Sequence, residues 1–599
     1  MTATPAVHPL DHASPAPSPR PLPRAWPAVL MVAVFWAFHF VSTQVEFQMF
    51  YRFLAGMAVL TLVLITFLVW WLTRRTVSRR ERWLAFGALV VGAVITVMLS
   101  HKSMGPMPIF GGVPWLLTGW AAWLLLTRHL PASARRPGLR ESGMIAIPFL
   151  AFGTFLLLRM EGLRGDGNPQ FHWRWSPTAE DQFLAAGPSG AGASITSPTT
   201  SSTTRSTALV LQPGDWPAFR GPGRDANVRG LRIATDWDAH PPKKLWSQHV
   251  GPAWSSIMVA GGRAYTQEQR GDTELVVCRD AETGSTLWTH DDAGRFEESL
   301  SGAGPRATPT FHNGLLYTLG ARGTLNCLDA ADGRPVWSHD IAADAQARVP
   351  DWGFCSSPLV VNGKVVVYAG GKSGKSLLAY DAATGNLAWS APAGEWSYSS
   401  PHLATINGAE QVLFLSDRGV TAVDPSTGAV QWEHLMPGTA PRSVQPLPVG
   451  SNQVLANFGL DSPTALVEVP ATSGAKPTEH WTSRNLKPSF NDFVVHNGYA
   501  YGFDGTMFSC VDLKDGSRKW KKGRYGAGQV LFLPDQPVLL VITEQGEAVL
   551  VAADPTQHTE LGRFQAVTGK TWNHPAIAQG RLYVRSADEM ACYELQPAK

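Results

Sequence analysis

The stretch Leu328–Trp337, LDAADGRPVW, recurs in variant form four more times along the chain. RDAETGSTLW ends at Trp288, YDAATGNLAW at Trp389, VDPSTGAVQW at Trp432 and VDLKDGSRKW at Trp520. In each copy an apolar run ends on Asp, turns through Gly and restarts towards Trp. An Asp side chain can bond the backbone just ahead of it, and Gly can take φ > 0, so Asp-x-x-x-Gly reads as a hairpin turn. Recurrence of such a unit along one chain is the mark of a repeat architecture.

Outward from these copies, closing aromatics occur at Trp246, Trp288, Trp337, Trp389, Trp432, Trp481, Trp520 and Phe564, spaced 39 to 52 residues apart. That spacing suits one four-stranded blade per unit. The units ending at Trp481 and Phe564 lack Asp-x-x-x-Gly but keep strands before the aromatic. Within a unit the order is regular: a small polar and Pro segment (SSPLV, 356–360), a turn (Asn362-Gly363), a strand, a strand ending in Asp, then the Trp strand. The final unit supplies three strands before the chain stops. KKLWSQHV around Trp246 is a fourth strand without its own three, so the two ends complete each other. Closure removes exposed sheet edges. The expected fold is therefore an all-β eight-bladed propeller over residues 215–599.

The region ahead of it is of another kind. With 599 residues the chain exceeds one ordinary core. Apolar stretches at about 25–45, 54–72, 83–100, 108–127 and 143–159 each approach the ~20 residues that cross a bilayer. Five transmembrane helices over 25–160 follow from this reading, and no small-residue cleavage site marks the first as a removable signal. Arg74, Arg75, Arg79, Arg80 and Arg82 fill one loop, and Arg128, Arg135, Arg136 and Arg140 another; the alternate loops offer Arg52 and Lys102. By the positive-inside rule the Arg-rich loops are cytoplasmic, as is the N-terminus with Arg20 and Arg24. An odd number of spans then puts the C-terminal domain outside, which implies an inner-membrane anchor and a periplasmic propeller. His39 and His101 are the ionisable candidates within the spans, and an anchor role outweighs a quinone or proton path.

Residues 1–24, rich in Pro and Ala, read as a disordered cytoplasmic tail. Residues 161–214 read as an interfacial segment and flexible linker. Trp173 and Trp175 suit the headgroup layer, SPTAE (176–180) resembles a helix start with Pro at its first position, and 186–207 is a Gly/Ser/Thr-rich tether. The net charge of +3 gives no reason to expect nucleic acid.

The phrase Asp-Ala-x-x-Gly-x-x-x-Trp, repeated through 279–520, resembles the tryptophan-docking repeat of quinoprotein-type, pyrroloquinoline quinone (PQQ)-like eight-bladed propellers. The opening DWPAFRGPGRD (215–225) and the closing GKTWNHPAIAQGRLYVRSADEMACYEL are similar to bacterial PQQ-binding-like repeat proteins. Five spans before such a domain resemble, in layout, membrane-bound quinoprotein glucose dehydrogenase. Two functions follow from these resemblances. One is a binding scaffold, as in the outer-membrane assembly lipoproteins, from which this chain departs in having spans instead of a lipid-attached Cys. The other is a PQQ- and calcium-dependent oxidoreductase passing electrons from a periplasmic sugar or alcohol to membrane quinone. The scaffold, a non-enzyme reading, is preferred. Such enzymes use a calcium ion, a catalytic Asp and often an adjacent Cys pair, and this chain has no adjacent cysteines, although the membrane glucose enzymes lack them too. Asp351, Glu395 and Asp492 flank the candidate site, but none can be given a catalytic or metal role from sequence.

Cys278, Cys327, Cys510 and Cys592 recur at equivalent places in different units, too far apart for disulfides, and read as small buried hydrophobes. Cys355 stands apart. No C-x-x-C-H or metal-ligand spacing occurs. Chemistry, if present, sits where the units differ. The residues ahead of each innermost strand converge on the channel mouth: Trp254, Arg306, Trp352, Trp396, Arg442, Asn491, Gln529, Trp572 and Asn573. Four Trp and two Arg there form an aromatic, cationic funnel. Such a lining suits a flat acidic ligand such as PQQ, a peptide partner, or packing of the residues on one another.

Overall fold

The computed structural model describes residues 25–45, 49–74, 76–131, 138–187, 209–472 and 474–598. The N-terminal tail (1–24), Arg75, Arg135, Arg136 and nearly all of the 186–207 tether lie outside the described residues.

The chain forms two compact units. The first contains five helices long and apolar enough to cross a membrane: α1 (Trp26–Gln44), α2 (Met49–Thr73), α3 (Arg79–Leu99), α4 (Met107–His129) and α5 (Leu139–Gly153), the last extended by a 3₁₀ turn. Small residues let α4 and α5 approach closely, since a Cβ on Gly143 would come within 2.0 Å of the Trp123 ring. Trp120 Nε1 donates to the Met144 carbonyl at 2.9 Å across the same pair. His101 caps the 3₁₀ turn that follows α3, accepting from Ser103 N at 3.2 Å. A partly buried ion pair joins two of these helices. Glu81, 4% exposed, accepts a forked pair of hydrogen bonds from Arg140 at 2.7 and 2.6 Å, tying the start of α3 to the start of α5.

The second unit is an eight-bladed propeller of four-stranded antiparallel sheets. Blades 1 to 7 take their strands in sequence, with innermost strands at Met258–Ala260, Thr310–His312, Leu359–Val361, His402–Ile406, Leu447–Val449, Val494–His496 and Gln529–Leu533. Blade 8 combines Ala576–Ala578, Arg581–Arg585 and Glu589–Glu594 with the early strand Lys243–His249, which lies antiparallel to Glu589–Glu594 with Trp246 opposite Cys592. First and last strands thus close the ring.

The repeated phrase is the blade fastener. Asp280 Oδ1 accepts from the backbone N–H of Glu282 and Thr283, and Asp381 and Asp424 do the same in blades 3 and 4. Gly333 takes φ 75°, and a Cβ there would come within 2.5 Å of Trp288 of the preceding blade. The Gly is needed twice over, for its conformation and for the ring lying on it. Trp246, Trp337, Trp389, Trp481 and Trp520 also donate their indole N–H to a carbonyl of the following blade, at 2.7 to 3.2 Å. Trp432, whose following blade lacks the phrase, turns its N–H to Gln411 of its own blade, and Phe564, which stands in place of a Trp, packs against Trp237 and Tyr593.

The helix start near 177 forms two residues later than expected. Thr178 is the N-cap of α6 (Ala179–Ala186) and makes a reciprocal capping box with Asp181. Glu180, freed from capping, instead receives Arg295 of blade 1 at 2.9 and 2.8 Å.

Candidate functional site

In the loops entering the innermost strands, most polar groups are spent on neighbouring blades. Ser256 N donates to Thr308 Oγ1 (3.1 Å), Thr308 N to Ser357 Oγ (2.9 Å) and Ser357 N to Ser400 Oγ (2.9 Å). Ser399 Oγ reaches the Val444 carbonyl, and Gln445 N reaches Asp492 Oδ1. Gln529 donates to the Trp572 carbonyl at 2.9 Å and, at 3.5 Å, to that of Phe490. Asn573 Nδ2 donates to the Ser255 carbonyl at 2.8 Å, and Ser256 Oγ donates to the His574 carbonyl. These contacts run through all eight blades and return to the first.

The predicted site residues separate into two groups. Arg306, Arg442, Asn491 and Asn573 are 9%, 0%, 0% and 2% exposed. Arg442 donates to the Asn457 and Met436 carbonyls at 3.2 and 2.6 Å. Arg306 donates to the Gly304 and Gly302 carbonyls and to Ser301 Oγ, faces Glu298 at 3.5 Å and lies over the Phe296 ring. Burial lowers the pKa of both guanidinium groups, that of Arg442 to about 10. Asn491 Oδ1 accepts from Ser489 N at 2.8 Å. A clamp for an acidic quinone requires guanidinium and amide groups aimed at open space. Arg306 and Arg442 do not fit that part. Asp492 is buried in the axial ring, while Asp351 and Glu395 are exposed outside it. Among the described residues, no group of three or more His, Cys, Asp or Glu is arranged to hold a metal ion.

The four Trp are half-buried and form two clusters. Trp254 and Trp572 lie with ring centroids 4.8 Å apart, and Phe490 adds a third ring at 4.6 Å from Trp572. Lys570 sits over both indoles, 5.1 and 4.4 Å from their centroids. Burial brings its ammonium down to about 8. This cluster is partly covered by the chain itself: Leu163 N donates to the Leu300 carbonyl at 2.7 Å, Lys570 donates to the Leu163 carbonyl at 3.2 Å, and Gly165 N donates to Glu544 at 2.5 Å. Glu544 also accepts from Trp572 Nε1. The second cluster is Trp352, stacked on Tyr398 at 4.7 Å, with Trp396 edge-on to Tyr398 at 5.9 Å.

Sequence reasoning missed Lys570, Phe490, Tyr398 and Glu544. Phe490 and Tyr398 stand one and two residues from chosen positions, and Lys570 two before Trp572, so the signal lay in the neighbouring letters. Glu544 follows the second strand of blade 7, and nothing in its surroundings marks it. All five cysteines are free, as expected, and Cys278, Cys327, Cys510 and Cys592 are buried.

A further loop reaches the axis. Trp216 pairs with Val259 of blade 1, the Pro217 carbonyl accepts from Phe311 of blade 2, and Ala226 and Val228 pair with Phe532 of blade 7. The segment between them crosses the propeller and places Arg220 and Arg224 in its centre.

With this geometry in view, residues 272–522 match the family model described as outer membrane protein assembly factor BamB. The matched residues lie within the propeller and make up less than half of the chain. No curated protein sequence matches the chain. Similar solved structures include BamB from Moraxella catarrhalis, at 16% identity and TM-score 0.44, covering 59% of this chain and all of that one. Quinohemoprotein alcohol dehydrogenase from Comamonas testosteroni has 13% identity and TM-score 0.45, covering 64% of this chain and 81% of that one. Quinohemoprotein alcohol dehydrogenase ADHIIG from Pseudomonas putida HK5 has 16% identity and TM-score 0.45, covering 65% and 81%.

Proposed function

We propose that this protein is an inner-membrane-anchored propeller, held on the periplasmic side, that serves as a binding scaffold for a protein partner. The five apolar helices support the anchor, and the Arg content of alternate loops supports the orientation. One observation carries the binding role: the Arg306 and Arg442 guanidinium groups at the funnel are spent on carbonyls of the propeller, whereas Trp352 and Trp396 are left half-buried on either side of Tyr398. Aromatic side chains at a rigid rim suit a peptide better than a small polyanion.

The test uses the full chain in detergent and in its own membrane. A photo-crosslinking residue at position 396 is expected to give a discrete adduct with another protein, and Trp352→Ala is expected to abolish that adduct without lowering the unfolding temperature. Titration with PQQ and calcium, followed by dye reduction with sugars and alcohols, tests the oxidoreductase alternative. Cofactor-dependent turnover there would overturn the scaffold reading.

A further inference from the structure

The loop through Arg220 and Arg224 is costly to build. Arg220, Arg224 and Ala226 take φ of 61°, 51° and 61°, a region that non-glycine residues enter at the expense of strain. The strain aims two guanidinium groups into the axis, where Arg220 is 1% and Arg224 4% exposed. Arg220 donates to the Phe493 carbonyl at 2.8 Å and to Gln445 Oε1 at 3.3 Å, and Arg224 to the Pro358 and Ser357 carbonyls at 2.9 and 3.1 Å.

The charges there do not balance. Asp492 is the carboxylate beside them, 3.6 Å from Arg220, and burial raises its pKa. Asp225, the next acid, is engaged with Arg229 at 2.5 Å and with Asn227 at 2.8 Å. His402 and His574, buried in the field of these arginines, are brought down to about 3 and are neutral. Two buried cations therefore face one buried anion, an arrangement that is strongly unfavourable unless compensated.

The unpaired hydrogen-bonding groups lie in the same region. Arg220 Nε, Arg224 Nε and Asn491 Nδ2 are buried donors with no acceptor among the described residues. Excess positive charge combined with unsatisfied N–H donors is the chemistry of an anion site. We propose that the propeller axis binds a small inorganic anion, a halide or an oxyanion, between Arg220 and Arg224. This site lies among the axial arginines, apart from the aromatic rim, and stands independently of the scaffold reading.

The experiment compares thermal unfolding of the full chain in detergent in sodium chloride, sodium phosphate and sodium gluconate at equal ionic strength, gluconate being the bulky control. Chloride or phosphate is expected to raise the midpoint by about 2 °C for each tenfold rise above its dissociation constant. The one that does so identifies halide or oxyanion as the occupant. Arg224→Gln leaves one cation facing Asp492, so its midpoint should become independent of the anion. A wild-type midpoint equal in all three salts would overturn the proposal. So would an Arg224→Gln protein that is destabilised yet keeps the full anion response. If Arg224→Gln does not fold, Arg224→Lys, which retains the charge, must keep the anion response for the proposal to stand.

Discussion

At the outer rim of the propeller, neighbouring blades are joined by one repeated set of residues; around the axis they are joined by different residues in different blades. The rim contact needs a wide ring, a residue without a Cβ and an Asp-stapled turn, and few side chains meet those requirements together. The axial contact needs only a polar atom within reach of the next blade. Thr308, Ser357, Ser400, Gln445, Gln529 and Asn573 all supply one. The difference teaches that sequence repetition reports how narrow a contact's requirements are, not how many blades depend on it.

The rim is where a substitution should cost most. Trp288 is buried between blades 1 and 2, and Trp288→Ala is expected to lower the unfolding free energy by about 4 kcal/mol. Trp432, which bonds within its own blade and faces a blade lacking the phrase, should cost less when replaced by Ala. Chemical unfolding of the full chain in detergent measures both, and equal losses would dissolve the distinction between fastened and unfastened blades. Next comes Gly333→Ala, which adds a Cβ both at positive φ and against Trp288, at an expected cost of about 2–3 kcal/mol.

A third contact between blades lies apart from both rings. Glu274 of blade 1 accepts from Ala321 N of blade 2 at 3.0 Å, and burial raises its pKa to about 7 against Arg306 and Arg322, which oppose the shift, and Asp292, which adds to it. The folded protein thus holds this proton at pH values where the unfolded chain, with its ordinary value of 4.5, has released it. The stability it contributes is full below about pH 4.5 and is lost as pH rises towards 7, on the order of 3 kcal/mol. Glu274→Gln should flatten that part of the profile of unfolding temperature against pH.

Legibility followed the same division. Asp329, Gly333 and Trp337 could be read from the chain because their spacing encodes a turn and a docking ring, and from them came the eight blades and the pairing of Lys243–His249 with the final unit. That Trp254, Arg306, Trp352, Trp396, Arg442, Asn491, Trp572 and Asn573 stand just ahead of innermost strands was legible too, from the order of strands within each unit. What each side chain does there was not. Arg442 and Arg306 look like ligand-gripping groups as letters, yet their donors end on carbonyls of Met436, Asn457, Gly302 and Gly304, local geometry that no spacing rule conveys. The Glu81–Arg140 pair was hidden for a similar reason: 59 residues separate its members, and each looks like an ordinary loop-side charge.

The axial ring offers the finest test of the comparison. If its links are interchangeable polar contacts, removing one hydroxyl should cost only a single hydrogen bond. Thr308→Val keeps the shape and deletes the acceptor for Ser256 N, which is buried at the blade 1 to blade 2 step. The expected loss is about 1 kcal/mol, because one buried N–H is left unsatisfied while packing is retained. Thr308→Ser keeps the oxygen and should recover most of that loss, even though it removes a methyl group. Were Thr308→Val as damaging as Trp288→Ala, the inner ring would be as exacting as the outer one. Its variety along the chain would then need another explanation.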